Sequence, residues 1–304
     1  MSDPATSEVS AIAELSARVR AAFPALDFDQ AGLIVHGEDN LVLVLDGTWV
    51  VRFPRNEEYR ARFAAELNLL RILRPISSLP VPDYEFVAPD GNFGAYRRLA
   101  GREMTPDVFR AMTAQHRDVI LPSLASFLSV LHALPVQTIA QANGMVARTW
   151  SGSQFAALYR GMRRAKIAPA VPGELLVRFD AFHDAFETLS PGTARLVHDD
   201  LSDDHILIDE AGTRISGIID FSDASYGDPA IDLSFFWRLG EGSVDRVLQG
   251  YRFASEDREI KTRSRWTYVR YMINQLAHGH QAKWRQNVNE TLAELQPHLT
   301  ALGF

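Results

Sequence analysis

The hydrophobic period of this 304-residue chain switches from helical to alternating and back, and that order limits the folds open to it. Val9, Ile12, Leu15, Val19 and Phe23 recur every three or four positions, the spacing of one helical face. Three short runs rich in Val, Leu and Trp follow, at Leu33–Val35, Leu41–Leu45 and Trp49–Phe53. Asp46-Gly47 between the last two is a strong hairpin signal, because these residue types tolerate the positive φ that a tight turn needs. Pro54 ends the third run, since it has no amide to give to a ladder. The spacing then predicts a helix over 57–73, with Phe63, Leu67, Leu70 and Leu73 on one face and Glu66 beside them. A strand pair follows at Tyr84–Ala88 and Phe93–Leu99, around Pro89-Asp90-Gly91. Beyond Gly101 helical spacing takes over, at 117–133, 151–164, 173–188, 244–252, 262–280 and 285–300. One β patch interrupts it (Arg195–Val197, Ile206–Ile208, Ile215–Ile219), read as a small hairpin embedded among helices. The expectation is an α+β chain, with a β-rich lobe over 1–99 and a helical lobe over 100–304.

Charge and composition remove whole classes of function. Thirty-eight acidic against 31 basic residues leave a net charge of −7, the wrong sign for a general nucleic-acid binder. The absence of cysteine excludes disulfides, thiolate zinc sites, iron–sulfur clusters and cysteine nucleophiles. No apolar run approaches the ~18 residues that a membrane span needs, and the N-terminal MSDPATSEVS is too polar for a secretory signal. A cytoplasmic protein without membrane or nucleic-acid partners is expected, with a monomer as the default. Only Lys166, Lys261 and Lys283 are lysines, and none follows the glycine pattern of a P-loop. Any phosphate-binding cation in the first 165 residues is therefore an arginine.

The segment Leu196–Trp237, LVHDDLSDDHILIDEAGTRISGIIDFSDASYGDPAIDLSFFW, places its polar groups where a purely structural strand would not. His198, Asp199 and Asp200 follow apolar Val197; His205 precedes Ile206–Ile208; Asp220 ends Ile218–Ile219. Groups at strand ends stand at the rim of a core, where Asp200, His205 and Asp220 can converge on one ligand. A carboxylate that orients a hydroxyl, near a cation held by a second carboxylate, fits phosphoryl transfer. Magnesium suits such a site, because it keeps waters and substrate phosphates among its ligands.

His198-Asp199-Asp200, His205 five residues after Asp200, Ile219-Asp220-Phe221 and Gly227-Asp228-Pro229 with Asp232 together resemble the antibiotic kinases. These are the aminoglycoside and macrolide phosphotransferases, of bilobal protein-kinase-like fold. Looser likeness runs through Gly37-Glu38-Asp39-Asn40, Arg52-Phe53-Pro54-Arg55 and Leu131–Pro135. Ser202–His205 and the stretch from Ala95-Tyr96 to Ala100-Gly101 are most similar to the 2″-aminoglycoside group. The resemblance implies that Asp200 orients the acceptor hydroxyl, that His205 and Asp220 hold Mg2+, and that ATP or GTP donates the phosphate. It implies that Arg52 grips the nucleotide phosphates with Glu66 as its ion-pair partner, that Gly37–Asn40 covers those phosphates, and that Tyr96–Leu99 is the hinge facing the purine. Asp203, Asp204, Glu241 and Trp266 are candidates for the acceptor side, and Asp232 is expected to be structural.

Three residues depart from the family pattern. Arg52 replaces lysine and presents a planar fork in place of a point charge. His205 replaces asparagine, as in the 2″-aminoglycoside and macrolide groups. Asp199 replaces glycine, and Asp is one of the few side chains that tolerate a left-handed backbone. The acceptor is expected to be an aminoglycoside. The alternatives are a macrolide, a sugar or amino-alcohol metabolite, or no acceptor at all in a nucleotide-binding pseudokinase.

Overall fold

The computed structural model describes residues 4–34, 39–135, 152–278 and 287–304, and the chain parts into two compact units. The first comprises Met1–Ser123, Pro135–Val146 and Ser202–Ala224; the second comprises Leu124–Leu134, Ala147–Leu201 and Ser225–Phe304. Among the described residues no helix is long and apolar enough to cross a membrane.

In the first unit, helix α1 (Pro4–Ala22) precedes a five-stranded sheet built from β1 (Ala31–Ile34), β2 (Asn40–Leu45), β3 (Trp49–Pro54), β4 (Tyr84–Val87) and β5 (Gly94–Arg97). Every pairing is antiparallel, in the order β1-β2-β3-β5-β4. The turn from β2 to β3 has Asp46 at φ 47° and Gly47 at φ 68°, the left-handed geometry that the pair was expected to adopt. The Asp46 carboxylate also accepts the amides of Asp29 and Gln30, which ties the turn to the chain entering β1. Leu15 and Val19 of α1, with Phe23 just after it, pack into one apolar cluster with Leu43, Val51, Phe53 and Phe93 of the sheet region. The order of the strands buries β3 in the middle, which explains why its first five residues are all buried.

Helix α2 (Glu57–Leu73) spans the expected residues. Asn56 caps it by accepting the Tyr59 amide, and Glu57 and Glu58 complement the positive end of its dipole. Its buried face carries Phe63, Leu69, Leu70 and Leu73, and also Glu66. Short strand β6 (Arg102–Glu103), helix α3 (Pro106–Ala111) and helix α4 (Ala114–Leu131) follow, the last running into the second unit.

The second unit holds α5 (Gly152–Met162), α6 (Gly173–Glu187) and β7 (Arg195–Val197). The chain then returns to the first unit for β8 (Ile206–Ile208) and β9 (Ile215–Ile218), and re-enters the second for β10 (Ser225–Gly227), α7 (Ala230–Ser234), α8 (Glu241–Gly250), α9 (Ile260–His278) and α10 (Val288–Ala301). The β patch therefore divides. β7 pairs with β10, while β8 and β9 form a hairpin extended by β6. The sequence reading joined all three runs because it missed β6 and β10, which are two and three residues long.

Gly101 lies just before β6 with φ 115°, and a Cβ built there would stand 2.2 Å from the Ile208 carbonyl oxygen and 2.4 Å from Ser216 Oγ. Both the backbone angle and the close approach exclude a side chain. Gly101→Ala is expected to lower unfolding stability by about 3 kcal/mol. Chemical denaturation measures it, and an unchanged midpoint and slope would show that the β6 to β8 approach relaxes freely.

Candidate active site

A cavity of about 650 Å³ lies in the first unit. Val42 and Val44 of β2, Val50 of β3, Leu207 and Ile219 give it apolar walls, Tyr96 and Leu99 also line it, and Arg52, Asp204 and Asp220 bring charge. Arg52 is 4% exposed and sits on β3 opposite Val42 and Gly94. Its Nη1 donates to both carboxylate oxygens of Glu66, at 2.8 and 3.1 Å, and its Nη2 donates to Asp220 Oδ1 at 2.8 Å. One buried cation thus faces two carboxylates. Burial opposes the guanidinium charge, but Asp220 and Glu66 outweigh it and hold the proton firmly. Burial pushes the Glu66 carboxyl up to about 7 against the pull of Arg52. Burial would raise the Asp220 carboxyl, but Arg52, His205 and Ser222 together outweigh it and hold the group below the ordinary range. The cluster thus sets one guanidinium against two carboxyl groups beside the cavity.

The β8–β9 hairpin delivers the metal-side candidates. The Ile219 amide donates to the His205 carbonyl at 3.0 Å, so the residues at the two strand ends lie opposite one another. His205 Nε2 is 3.7 Å from Asp220 Oδ2 and 3.8 Å from Asp204 Oδ2. Asp220 has φ 63° and accepts Ser222 Oγ at 2.8 Å, and Asp204 accepts Ser202 Oγ at 2.5 Å. Among the described residues no three His, Cys, Asp or Glu side chains are placed to hold a metal ion by themselves. A hard cation with few protein ligands, completed by phosphate and water oxygens, fits the donors present.

In the second unit Asp232, 1% exposed, organises the loop that carries Asp200. Its carboxylate accepts the backbone amides of His198 at 2.8 Å and Asp199 at 2.9 Å. His132 Nε2 lies 3.0 Å from the same carboxylate, and His132 Nδ1 lies 2.7 Å from the Tyr251 hydroxyl. The network closes when Nε2 donates to Asp232 and Nδ1 accepts from Tyr251. Asp199 adopts φ 65°, the left-handed backbone anticipated for it, and its carboxylate accepts Ser225 Oγ at 2.8 Å. Asp228 ties the following turn by accepting the amides of Gly192 and Ala230 and pairing with Arg263. A second cavity, about 390 Å³, is lined within this unit by Phe155, Phe186, Val197, Asp199, Arg263 and Arg270 among others.

Residues 30–268 match the model of APH, the phosphotransferase enzyme family. The chain belongs to this family. A Bacillus subtilis (strain 168) relative, "Uncharacterized protein YcbJ", is 30% identical over 241 residues, which is 72% of this chain and 77% of the relative. The GDP and kanamycin complex of APH(2″)-IIIa superposes with a TM-score of 0.77 at 24% identity, covering 96% of this chain and 99% of that one. Macrolide 2′-phosphotransferase MphH from Brachybacterium faecium superposes with a TM-score of 0.63 at 23% identity, covering 96% and 97%. The fold is thus that of the kinase-like antibiotic phosphotransferases, and the enzyme class follows from the family.

Within this phosphotransferase the structure gathers Arg52, Glu66, His205 and Asp220 in the first unit, and places Tyr96, Leu99 and Asp204 on the same cavity. Asp200 is half-buried in the second unit. Asn40 is buried at the start of β2, while Gly37 and Glu38 lie outside the described residues. Asp203 is half-buried on the turn before β8. Glu241 is pinned by Lys261 at 2.8 Å and Arg265 at 2.9 Å. Trp266 stacks on Phe182 with ring centroids 4.9 Å apart. Neither Glu241 nor Trp266 lines the 390 Å³ cavity. The hold of Asp232 on two loop amides was not foreseen, since those partners lie 33 and 34 residues away.

Proposed function

We propose that this phosphotransferase moves the γ-phosphoryl group of ATP or GTP to a hydroxyl of an aminoglycoside. The observation that supports it best is the Arg52 fork, buried between Glu66 and Asp220 on a cavity with apolar walls wide enough for a nucleotide. The apolar walls suit a purine, with backbone groups of the Tyr96–Leu99 hinge as its polar partners. Arg52 donates to the phosphates from a guanidinium whose orientation Glu66 fixes. His205 and Asp220 would hold magnesium, which neutralises the charge that develops on the phosphate oxygens during transfer. Asp200 accepts the proton of the acceptor hydroxyl and keeps its lone pair directed at phosphorus, in a loop whose amides Asp232 holds still. The carboxylates of Asp203 and Asp204 add the negative potential that draws in a polycationic acceptor.

The cavity beside Asp199 favours a second reading, a macrolide acceptor. Phe155, Phe186, Leu189 and Ile231 give it apolar surface that suits a macrolide ring, beside charged Glu187, Asp199, Asp228, Arg263 and Arg270. A phosphorylation assay of the purified protein tests both readings, with an aminoglycoside and a macrolide panel, ATP and GTP, with and without Mg2+. The expected result is magnesium-dependent transfer to an aminoglycoside. Transfer to macrolides alone establishes the second reading, and transfer only to a sugar or amino-alcohol removes both. Nucleotide binding without transfer to any acceptor removes the enzymatic reading.

A further inference from the structure

Arg62 lies on α2, one turn before Glu66, and its guanidinium pairs with three carboxylates. Its Nη1 donates to Asp39 Oδ2 at 3.4 Å and to Asp223 Oδ1 at 2.9 Å, and its Nη2 donates to Glu58 Oε1 at 2.6 Å. These partners belong to different parts of the nucleotide site. Asp39 closes the β1–β2 connection, in the loop expected to cover the phosphates, and its carbonyl accepts the Arg55 amide at the end of β3. Asp223 lies three residues after Asp220, on the segment that leaves the metal side. The side chains are only partly exposed, at 23% for Arg62, 21% for Asp39 and 28% for Asp223. Burial and the neighbouring Asp223 carboxylate push the Asp39 carboxyl up to about 6, so the two acids repel where Arg62 does not neutralise them.

We propose that Arg62 is a positioning residue for the nucleotide: its guanidinium clasps Asp39 and Asp223 to α2, holding the phosphate-side loop, Glu66 and the Asp220 segment in one frame. The inference rests on the reading that the nucleotide occupies the 650 Å³ cavity. Arg62 itself meets no phosphate in this role. A partly exposed ion pair contributes little to stability, so the effect of losing it falls on the site, where freed carboxylates repel one another and the incoming triphosphate.

Steady-state kinetics of the full-length enzyme, with calorimetric titration of magnesium–ATP and magnesium–GTP, tests this. Arg62→Met keeps the aliphatic stem and is expected to raise the nucleotide KM and Kd about tenfold. The acceptor KM and the melting temperature stay at wild-type values. Arg62→Lys keeps the charge and can still reach two carboxylates, as Lys261 does here, but lacks the fork that also holds Glu58, and is expected to fall in between. Arg71→Ala, on the exposed face of the same helix, is the control and leaves all parameters unchanged. Nucleotide affinity equal to wild type in both Arg62 variants overturns the proposal. So does a lowered melting temperature with nucleotide and acceptor KM rising together, which marks a purely structural role. If Arg62→Met does not fold, Arg62→Lys alone decides by the same comparison. Failure of the wild type to bind either nucleotide instead removes the functional reading, and this inference with it.

Discussion

Asp200→Ala is expected to lower turnover by about 10²–10⁴-fold, the range for losing one positioned acid–base group, while magnesium–nucleotide affinity stays at the wild-type value. The separation follows from where the groups sit. Every residue lining the 650 Å³ cavity belongs to the first unit, whereas Asp200 belongs to the second. The loop itself should survive the change, because it is held by the amides of His198 and Asp199 on Asp232 and by Ser225 on Asp199. Single-turnover kinetics with calorimetric nucleotide titration measures both quantities. Turnover within tenfold of wild type would remove Asp200 from the hydroxyl. A parallel loss of nucleotide affinity would mean that its carboxylate serves the donor instead.

Asp220→Asn is expected to reduce magnesium–nucleotide affinity by more than about 100-fold, beyond the effect of losing an outer partner of a metal ligand, and to lower stability at neutral pH, because a carboxyl held below its ordinary range stabilises the fold while ionised. The charges around Arg52 moderate that loss. One guanidinium serves both Glu66 and Asp220, and burial already pushes Glu66 up to about 7. Neutralising residue 220 leaves a balanced Arg52–Glu66 pair, and the Glu66 carboxyl, now at about 7, should move down with the loss of a repelling neighbour. Asparagine is the informative substitution because residue 220 has φ 63°, which Asn tolerates and Ala does not. Unchanged affinity for magnesium–nucleotide would dismiss Asp220 from the metal side. Stability equal to or above wild type would show that the shared carboxylate strains the fold instead of supporting it.

Much of the fold was legible because it is coded locally. The helix over 57–73, the Asp46-Gly47 turn and the runs that became β2 and β3 depend on spacing and on turn chemistry within a few residues. The motif carrying Asp200, His205 and Asp220 was legible for a related reason, since polar groups at the ends of apolar strands stand out against their neighbours. What escaped notice was long-range or short-lived along the chain. β6 and β10 are too brief to show a period. The Arg62–Asp223 contact joins residues 161 apart, and neither has a local signature. Asp232 was expected to be structural, but nothing near it in the chain says that it holds the successive amides of His198 and Asp199.

By itself the sequence determined the order of β and helical segments, the residue types available for phosphoryl transfer and, with no lysine before Lys166, that any cation beside the first unit's sheet is an arginine. These are properties of spacing and chemistry that any fold must respect. Only the tertiary structure decided which charges share a site: that Arg52 serves two carboxylates at once, that the β8–β9 hairpin belongs with the five-stranded sheet's unit, and that Asp39 and Asp223 meet on Arg62. Charge balance in a buried cluster depends on distances of a few ångströms between residues more than a hundred positions apart, and periodicity along the chain carries no record of those distances.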